Sequence, residues 1–329
     1  MVVVITGITG FAGSFLAELL AREKGVEIHG LSRTGTWPAS FPPIPQIKLH
    51  KTCWDNPCQV KETLRGIGPS QVYHLAGYSQ TWKSHQEVAV TWTGNLQTTL
   101  ALLEAIRESG LKPRILVAGS GLIYGPATQA RDLKDEESPF FPDSPYAASK
   151  AAVDWLALQF GKSVGLEIVR ARPFNHIGPR QGTDFAIASF SAKIACIEAG
   201  LMPPLLQTGP LNSPRDLTDV RDMARAYALL MQKGVSGQAY NIATGKPVVM
   251  REALEKLLEM SERRDIRVEE KASMSGKEEK GIAFAGVEKL RQATGWQPEI
   301  SLEQTLRDTL AYWRGQVKEE IAKNKDGSV

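Results

Sequence analysis

The stretch TGITGFAG, residues 6–13, follows the apolar run Val2-Val3-Val4-Ile5 and precedes Phe15, Leu16, Leu19 and Leu20, which are spaced as one face of a helix. Gly7, Gly10 and Gly13 therefore stand three apart between a buried strand and a helix. Glycines at that place allow a tight turn. They also let backbone N–H groups, backed by a helix N-terminus, come close to a pyrophosphate. The spacing is not G-x-G-x-x-G, yet the strand–turn–helix setting is that of a dinucleotide site. The bland reading, a turn that only packs a helix on a strand, does not explain why the turn opens the chain's first strand–helix unit.

Working outward, apolar runs alternate with helical patterns. Val26–Leu31, Gln46–Leu49, Val72–Ala76, Ile115–Ala118 and Ile168–Ala171 read as further strands. Leu96, Leu100, Leu103 and Ile106 mark one amphipathic helix, and Ser149, Val153, Leu156 and Phe160 another. Residues 37–45 (WPASFPPIP) are loop. This alternation predicts right-handed βαβ units and a parallel, doubly wound α/β sheet. After Arg172 the rhythm changes, and proline- and glycine-bearing loops surround helical pieces at 219–231, 250–260 and 301–314, with a late strand at 239–243. This half reads as a smaller mixed lobe capping the sheet, ending in a charged tail that frays.

The chain has 329 residues, 42% of them hydrophobic, and a net charge of +3. That charge gives no case for nucleic acid or an anionic membrane as partner. Cys53, Cys58 and Cys196 form no CxxC and read as reduced thiols of a cytoplasmic protein. Residues 2–5 are too short for a signal segment. No apolar run approaches the roughly 18 residues of a membrane span. The histidines at 29, 50, 74, 85 and 176 lack ligand spacing, so no metal is expected. Trp82 and Trp92 read as packing, and Arg263, Arg264 and Arg267 as a solvated face.

The second strand ends in Ser32-Arg33. An acid about 20 residues after the glycine turn would take the ribose 2′-OH. An arginine suits a 2′-phosphate instead, so NADP(H) is expected over NAD(H), although a solvated arginine at a strand end is the plainer alternative. Farther on, GSGLIYG (119–125) places Ser120 just past the fifth strand, and SPYAASK (144–150) places Tyr146 and Lys150 four apart at a helix start. An ammonium near a phenol favours the phenolate and makes the tyrosine a better acid or base. The order glycine turn, strand-end hydroxyl, Y-x-x-x-K is far more specific than any one of them.

With these motifs in place the chain resembles the extended short-chain dehydrogenase/reductases that modify nucleotide sugars. The similarity continues through HLAG (74–77), RPFNHIGPRQ (172–181), RDLTDVRD (215–222), AYNIATG (239–245) and TGWQPEISLEQTL (294–306). RPFNHIGPRQ and RDLTDVRD look closest to the GDP-mannose branch, which holds 4,6-dehydratases and GDP-4-keto-6-deoxymannose reductases. The resemblance implies a Rossmann-like domain over 1–172, joined by residues 216–245. It implies a substrate-binding lobe over 173–215 and 246–316, and a tail at 317–329. It implies that Ser120 hydrogen-bonds the sugar O4, that Tyr146 exchanges a proton with it, and that Lys150 binds the nicotinamide ribose and lowers the tyrosine pKa. Thr9, Phe11 and Ala12 would join the three glycines around the cofactor, with Ser32, Arg33, Cys53 and Trp54 toward its adenosine end. Ala76, Gly77 and the stretch Pro173–His176 would line the nicotinamide, with Leu75 beside them. Asn175 and Arg215 would hold the nucleotide diphosphate, and Ser79, Gly121 and Arg180 would join them at the substrate. Asn175 and Arg215 also suit structural roles.

Dehydratases of this family carry a glutamate two residues before the tyrosine of the x-Y-G segment. Leu122 stands there, and Thr91 stands where the family has an asparagine in the long helix. A leucine takes no proton, so dehydration is not expected. The expected reaction is NADPH-dependent reduction of the C4 ketone of a nucleotide-linked 4-keto-6-deoxy sugar. The alternatives are an NAD-dependent 4-epimerase and a non-catalytic NADP-binding regulator. The helices near 95–109 and 147–160 are expected to pair in a homodimer.

Overall fold

A computed structural model describes residues 1–126, 132–271 and 284–325. Seven strands, β1 (Val2–Thr6), β2 (Glu27–Ser32), β3 (Ile47–Lys51), β4 (Gln71–His74), β5 (Arg114–Ala118), β6 (Ile168–Pro173) and β7 (Ala239–Ile242), form one parallel sheet in the order β7-β6-β5-β4-β1-β2-β3. The helices are α1 (Phe11–Leu20), α2 (Pro57–Ile67), α3 (Val88–Trp92), α4 (Thr98–Ser109), α5 (Pro145–Gln159), α6 (Ala186–Glu198), α7 (Val220–Lys233), α8 (Met250–Glu259), α9 (Glu288–Thr294) and α10 (Leu302–Lys325). Five-residue π turns, Thr93–Gln97 and Phe160–Val164, join α3 to α4 and extend α5. The expected doubly wound sheet is present, with the late strand as its outer member beside β6.

Strand periodicity assigns the two faces. Val3 and Ile5 of β1 point with Leu116 and Val169 into a core shared with α1 and α7. Val4 points with Ile115, Val117 and Ile168 into a second core shared with α2, α4 and α5. Burial on both faces is why the central strands β1 and β5 are nearly continuously apolar. A third core joins α6, α8 and α10 through Phe190, Ile194, Leu254, Leu257, Leu306 and Leu310.

The structure departs from the sequence reading in several places, among them helices α6 and α9, which the sequence reading did not place. Residues 57–67 are helical: Asn56 accepts from Gln59 N, Pro57 opens the helix and Gly68 closes it at φ 63°. Helix α10 runs on through residues 317–325 rather than fraying, because Val317 is buried on the face that Leu310 begins. Residues 326–329 of the expected tail lie outside the described residues. Leu290 and Trp296, placed with the second lobe, pack instead into the sheet core beside α7. Among the described residues no helix is long and apolar enough to cross a membrane.

The chain leaves β3 on one side of β1 and resumes at β4 on the other. The connections that leave β1 and β4 therefore run to opposite sides and open a crevice, the place where such sheets bind ligands.

Candidate active site

The crevice is built by its glycines. Gly7 adopts φ 69°, and a Cβ there would stand 2.8 Å from Ala76 N in the loop after β4. A Cβ on Gly13 would stand 2.3 Å from Gly7 O. Neither position tolerates a side chain, so the turn lies flat against the adjoining loop and against α1. Ala76 N donates to Thr6 Oγ1 (3.0 Å), which fixes the two loops together. The N-cap of α1 is Gly10, with no side-chain cap, so the first-turn amides keep their donors for an anion. At the other end, Ser32 Oγ accepts from Gly35 N (3.0 Å) and shapes the turn that presents Arg33. Arg33 is exposed and lines the cleft. A bare helix N-terminus and an arginine at the end of β2 fit a dinucleotide with a 2′-phosphate.

The cleft measures about 1490 Å³ and runs from this turn to the third core. Every expected cofactor or substrate residue lines it except Cys53 and Arg180. Cys53 is exposed, and its N–H is taken by Gln59 Oε1 (3.0 Å). Arg180 turns away from the cleft and pairs with Glu18 of α1 at 2.5 Å. Both assignments are corrected by this placement. Trp82, read as packing, lines the cleft and is 59% exposed. Lys193 of α6 also lines it, and its Nζ donates to Gln207 O (3.0 Å). Nothing in the sequence singles out a lysine on an amphipathic helix.

Ser120, Tyr146 and Lys150 come together at the end of β5. Ser144 Oγ accepts from Ala147 N (3.2 Å), and Pro145 opens α5, so Tyr146 and Lys150 project one turn apart. Lys150 Nζ donates to Ala118 O (2.9 Å). Ser120 caps a short 3₁₀ turn, Gly121–Tyr124, by accepting from Leu122 N (3.2 Å), and its hydroxyl is near enough to the Tyr146 phenol to lower its pKa. Burial pushes the Tyr146 phenol up to about 12, with the Ser120 hydroxyl pulling the other way. Burial lowers the Lys150 ammonium to about 8. The lysine was expected to depress the phenol, but removal from water is the largest influence on it and raises it.

The turn bearing Ser120 is held from behind. Arg172 of β6 grips both oxygens of Asp154 on α5 (2.9 and 3.0 Å) and donates to the Tyr124 hydroxyl (2.7 Å). That hydroxyl donates to Asn241 Oδ1 of β7 (2.8 Å). Phe174 covers Gly121 so closely that a Cβ there would meet the ring at 2.5 Å. His176 stacks on Phe11 (5.6 Å, 2°) beside the glycine turn, and burial lowers its pKa.

The expectation about Thr91 is also corrected. Its hydroxyl closes on Glu87 O (2.9 Å), while the next turn of the helix supplies a buried asparagine, Asn95. Asn95 Oδ1 accepts from Tyr78 N (2.8 Å), and its Nδ2 donates to Ser149 Oγ (2.9 Å). A Cβ on Gly77 would lie 2.6 Å from Asn95 Oδ1 and 3.4 Å from Lys150 Nζ, so asparagine, lysine and the loop after β4 meet at one point.

Residues 4–309 match the family model described as GDP-mannose 4,6 dehydratase. The GDP-6-deoxy-D-mannose reductase of Pseudomonas aeruginosa is 33% identical over 316 residues, covering 96% of this chain and 98% of that protein. The GDP-mannose 4,6-dehydratase of Yersinia enterocolitica is 31% identical over 260 residues, covering 75% of this chain and 68% of that protein. The solved structure of RMD from Pseudomonas aeruginosa complexed with NADPH matches with a TM-score of 0.83 at 32% identity, covering 96% of this chain and 99% of that one.

Proposed function

This chain belongs to the GDP-mannose 4,6-dehydratase family, nucleotide-sugar enzymes of the short-chain dehydrogenase/reductase type, and from that premise we propose that it is a reductase. Its substrate is the C4 ketone of a GDP-4-keto-6-deoxymannose type sugar, and its cofactor is NADPH. One observation carries the choice of reduction over dehydration. The residue beside Ser120 and Gly121 in the cleft wall is Leu122, so elimination has no base at the position where dehydratases carry one. The carboxylates of the described cleft wall are Glu87 and Asp184. Glu87 accepts from the Tyr78 hydroxyl (2.7 Å), and Asp184 is held by Gln80 (2.6 Å) and Lys83 (3.0 Å).

A bound nicotinamide supplies the hydride. This chain's residues do the rest. Ser120 and Tyr146 hold the carbonyl oxygen between two hydroxyls and so favour the charge that develops on it. A phenol at about 12 stays protonated until an alkoxide of comparable basicity forms, and it then gives up its proton. Lys150 places a cation beside the phenolate left behind. Arg33 supports NADPH, as does the cofactor of the matching RMD structure.

The test is NADPH consumption with GDP-4-keto-6-deoxymannose, beside NADH and a Tyr146→Phe control. Rapid oxidation that the control loses, with cofactor binding kept, is the expected result. Turnover without added cofactor by protein carrying tightly bound NAD would replace this reading with a 4-epimerase, which needs the same Ser120, Tyr146 and Lys150 but not Arg33. We propose further that the enzyme is a cytoplasmic homodimer. Exposed Val88, Val90, Leu100 and Trp155 on α3, α4 and α5 support the pairing, and light scattering of Trp155→Glu tests it. The free state of Cys53, Cys58 and Cys196 supports the compartment.

A further inference from the structure

Among the described residues Arg180 is the one non-glycine at positive φ (71°). A side chain in that region is strained and persists only where its surroundings hold it. What holds Arg180 lies away from the sugar. The guanidinium pairs with Glu18 and donates to Ser14 Oγ (3.3 Å), both on α1. Its centre stands 4.2 Å from the Phe15 ring and 5.2 Å from the Phe41 ring. Its side chain is only 9% exposed, and a cation shielded between two rings holds them more firmly than one in water.

Phe41 belongs to the connection between β2 and β3, which begins at Arg33 and has no regular structure of its own. That connection is closed on itself by Phe41 N to Pro38 O (3.0 Å) and Trp37 Nε1 to Pro42 O (3.0 Å). It meets α1 at two ends: Gln46 Nε2 donates to Ala21 O (3.3 Å) at the helix C-cap, and nearer Arg33 the ring of Phe41 lies under Arg180. On the other side of Arg180, Gln181 lines the cleft and donates to His176 O (2.9 Å), next to the glycine turn. One residue thus joins the segment after β6, helix α1 and the loop that presents Arg33.

We infer that Arg180 is a positioning residue for the cofactor's 2′-phosphate site: by pinning Phe41 against α1 it sets where Arg33 stands, and with it the preference for NADPH over NADH. The inference rests on the reading of Arg33 given above.

The test is the affinity for NADPH and for NADH, read from the fluorescence of the bound reduced nicotinamide. It is run on the unaltered protein, Arg180→Gly, Phe41→Ala, Arg33→Ala and the double variant Arg33→Ala/Arg180→Gly. Glycine is at ease at φ 71°, so Arg180→Gly removes the side chain and leaves no strain behind. Phe41→Ala releases the loop from the other partner, in case the first variant misfolds. Arg180→Gly and Phe41→Ala are each expected to lower the NADPH-to-NADH affinity ratio by about five-fold. Once Arg33 is alanine, Arg180→Gly should cost no further NADPH affinity. An unchanged ratio in Arg180→Gly, with weakened NADPH binding in Arg33→Ala, overturns the anchoring role and leaves the cofactor reading standing. Equal loss of both cofactors in Arg180→Gly makes the residue a brace of α1 and overturns the inference too. NADPH binding by Arg33→Ala at the unaltered strength overturns the cofactor reading and the inference with it.

Discussion

Lys150 and Tyr146 are neighbours whose protons leave at very different pH. The phenol, near 12, stays protonated over the working range, whereas the ammonium, near 8, does not. The alkaline limb of kcat/KM is therefore expected near pH 8 and reports Lys150. Lys150→Arg, charged throughout, should push that limb upward. Stability moves the other way. The folded pKa lies below the ordinary lysine value of 10.5, so between about 8 and 10.5 the unfolded chain binds a proton that the folded chain has released. Stability thus rises with pH across that window, and below it the folded protein carries the full penalty of a buried charge. Lys150→Met should raise the unfolding midpoint at neutral pH by the equivalent of at most about 3 kcal/mol, while activity collapses. Gly121→Ala is the steric counterpart. It drives a methyl into the Phe174 ring, and calorimetry should show a loss of about 1–3 kcal/mol that Phe174→Leu partly restores. At this scale the grouping of Ser120, Tyr146 and Lys150 was legible because each sits at a short offset from a strand end or a helix start. The place of Arg180 was not. Its partners Glu18, on α1, and Phe41, in the connection after β2, are far away in the chain, and only the folded molecule brings them to it.

Among the elements, the helix from 88 to 109 shows how a local irregularity serves a site. Its π turn at 93–97 carries Asn95, which ties the loop after β4 to α5. Asn95→Ala removes both hydrogen bonds and leaves Tyr78 N without its partner. Unfolding free energy should drop by about 2–3 kcal/mol. Faster hydrogen exchange at the Tyr78 amide would separate loosening of this loop from global destabilisation. The central strands β1 and β5 were readable as apolar runs because both of their faces are covered, whereas the edge strand β3 exposes Lys48 and Lys51. Helix α2 was not, since only Val60 and Leu64 of its residues are buried. Two apolar positions in a short, mostly polar helix give a faint periodic signal, and its caps at Asn56 and Gly68 were the better clue. A reading that followed polar composition alone also stopped α10 short of buried Val317.

Across the whole molecule, the third core and the cleft share residues. Ile187, Phe190, Leu211 and Met250 belong to that core and also line the cleft, on the side away from the glycine turn. Loosening the core from behind should therefore disturb one ligand more than the other. Leu254→Ala empties a fully covered site and should cost about 2–5 kcal/mol. KM for the nucleotide sugar is expected to rise several-fold while the NADPH dissociation constant stays within about two-fold, since additivity holds between distant sites. Equal weakening of both would show that the two halves of the cleft yield together.

The position of β7 has a consequence for how the protein is made. Its neighbour β6 ends at Pro173, yet β7 is not complete until residue 242, so a growing chain carries β6 with one bare edge while the intervening residues emerge from the ribosome. The same late strand supplies Asn241, the acceptor for Tyr124 behind the turn that holds Ser120. A nascent chain halted before that strand emerges should be quickly cut by protease near Ser120 and should be prone to self-association. The turn that holds Ser120 gains this brace only after nearly three-quarters of the sequence has been translated, which makes completion of that wall of the cleft a late event in synthesis.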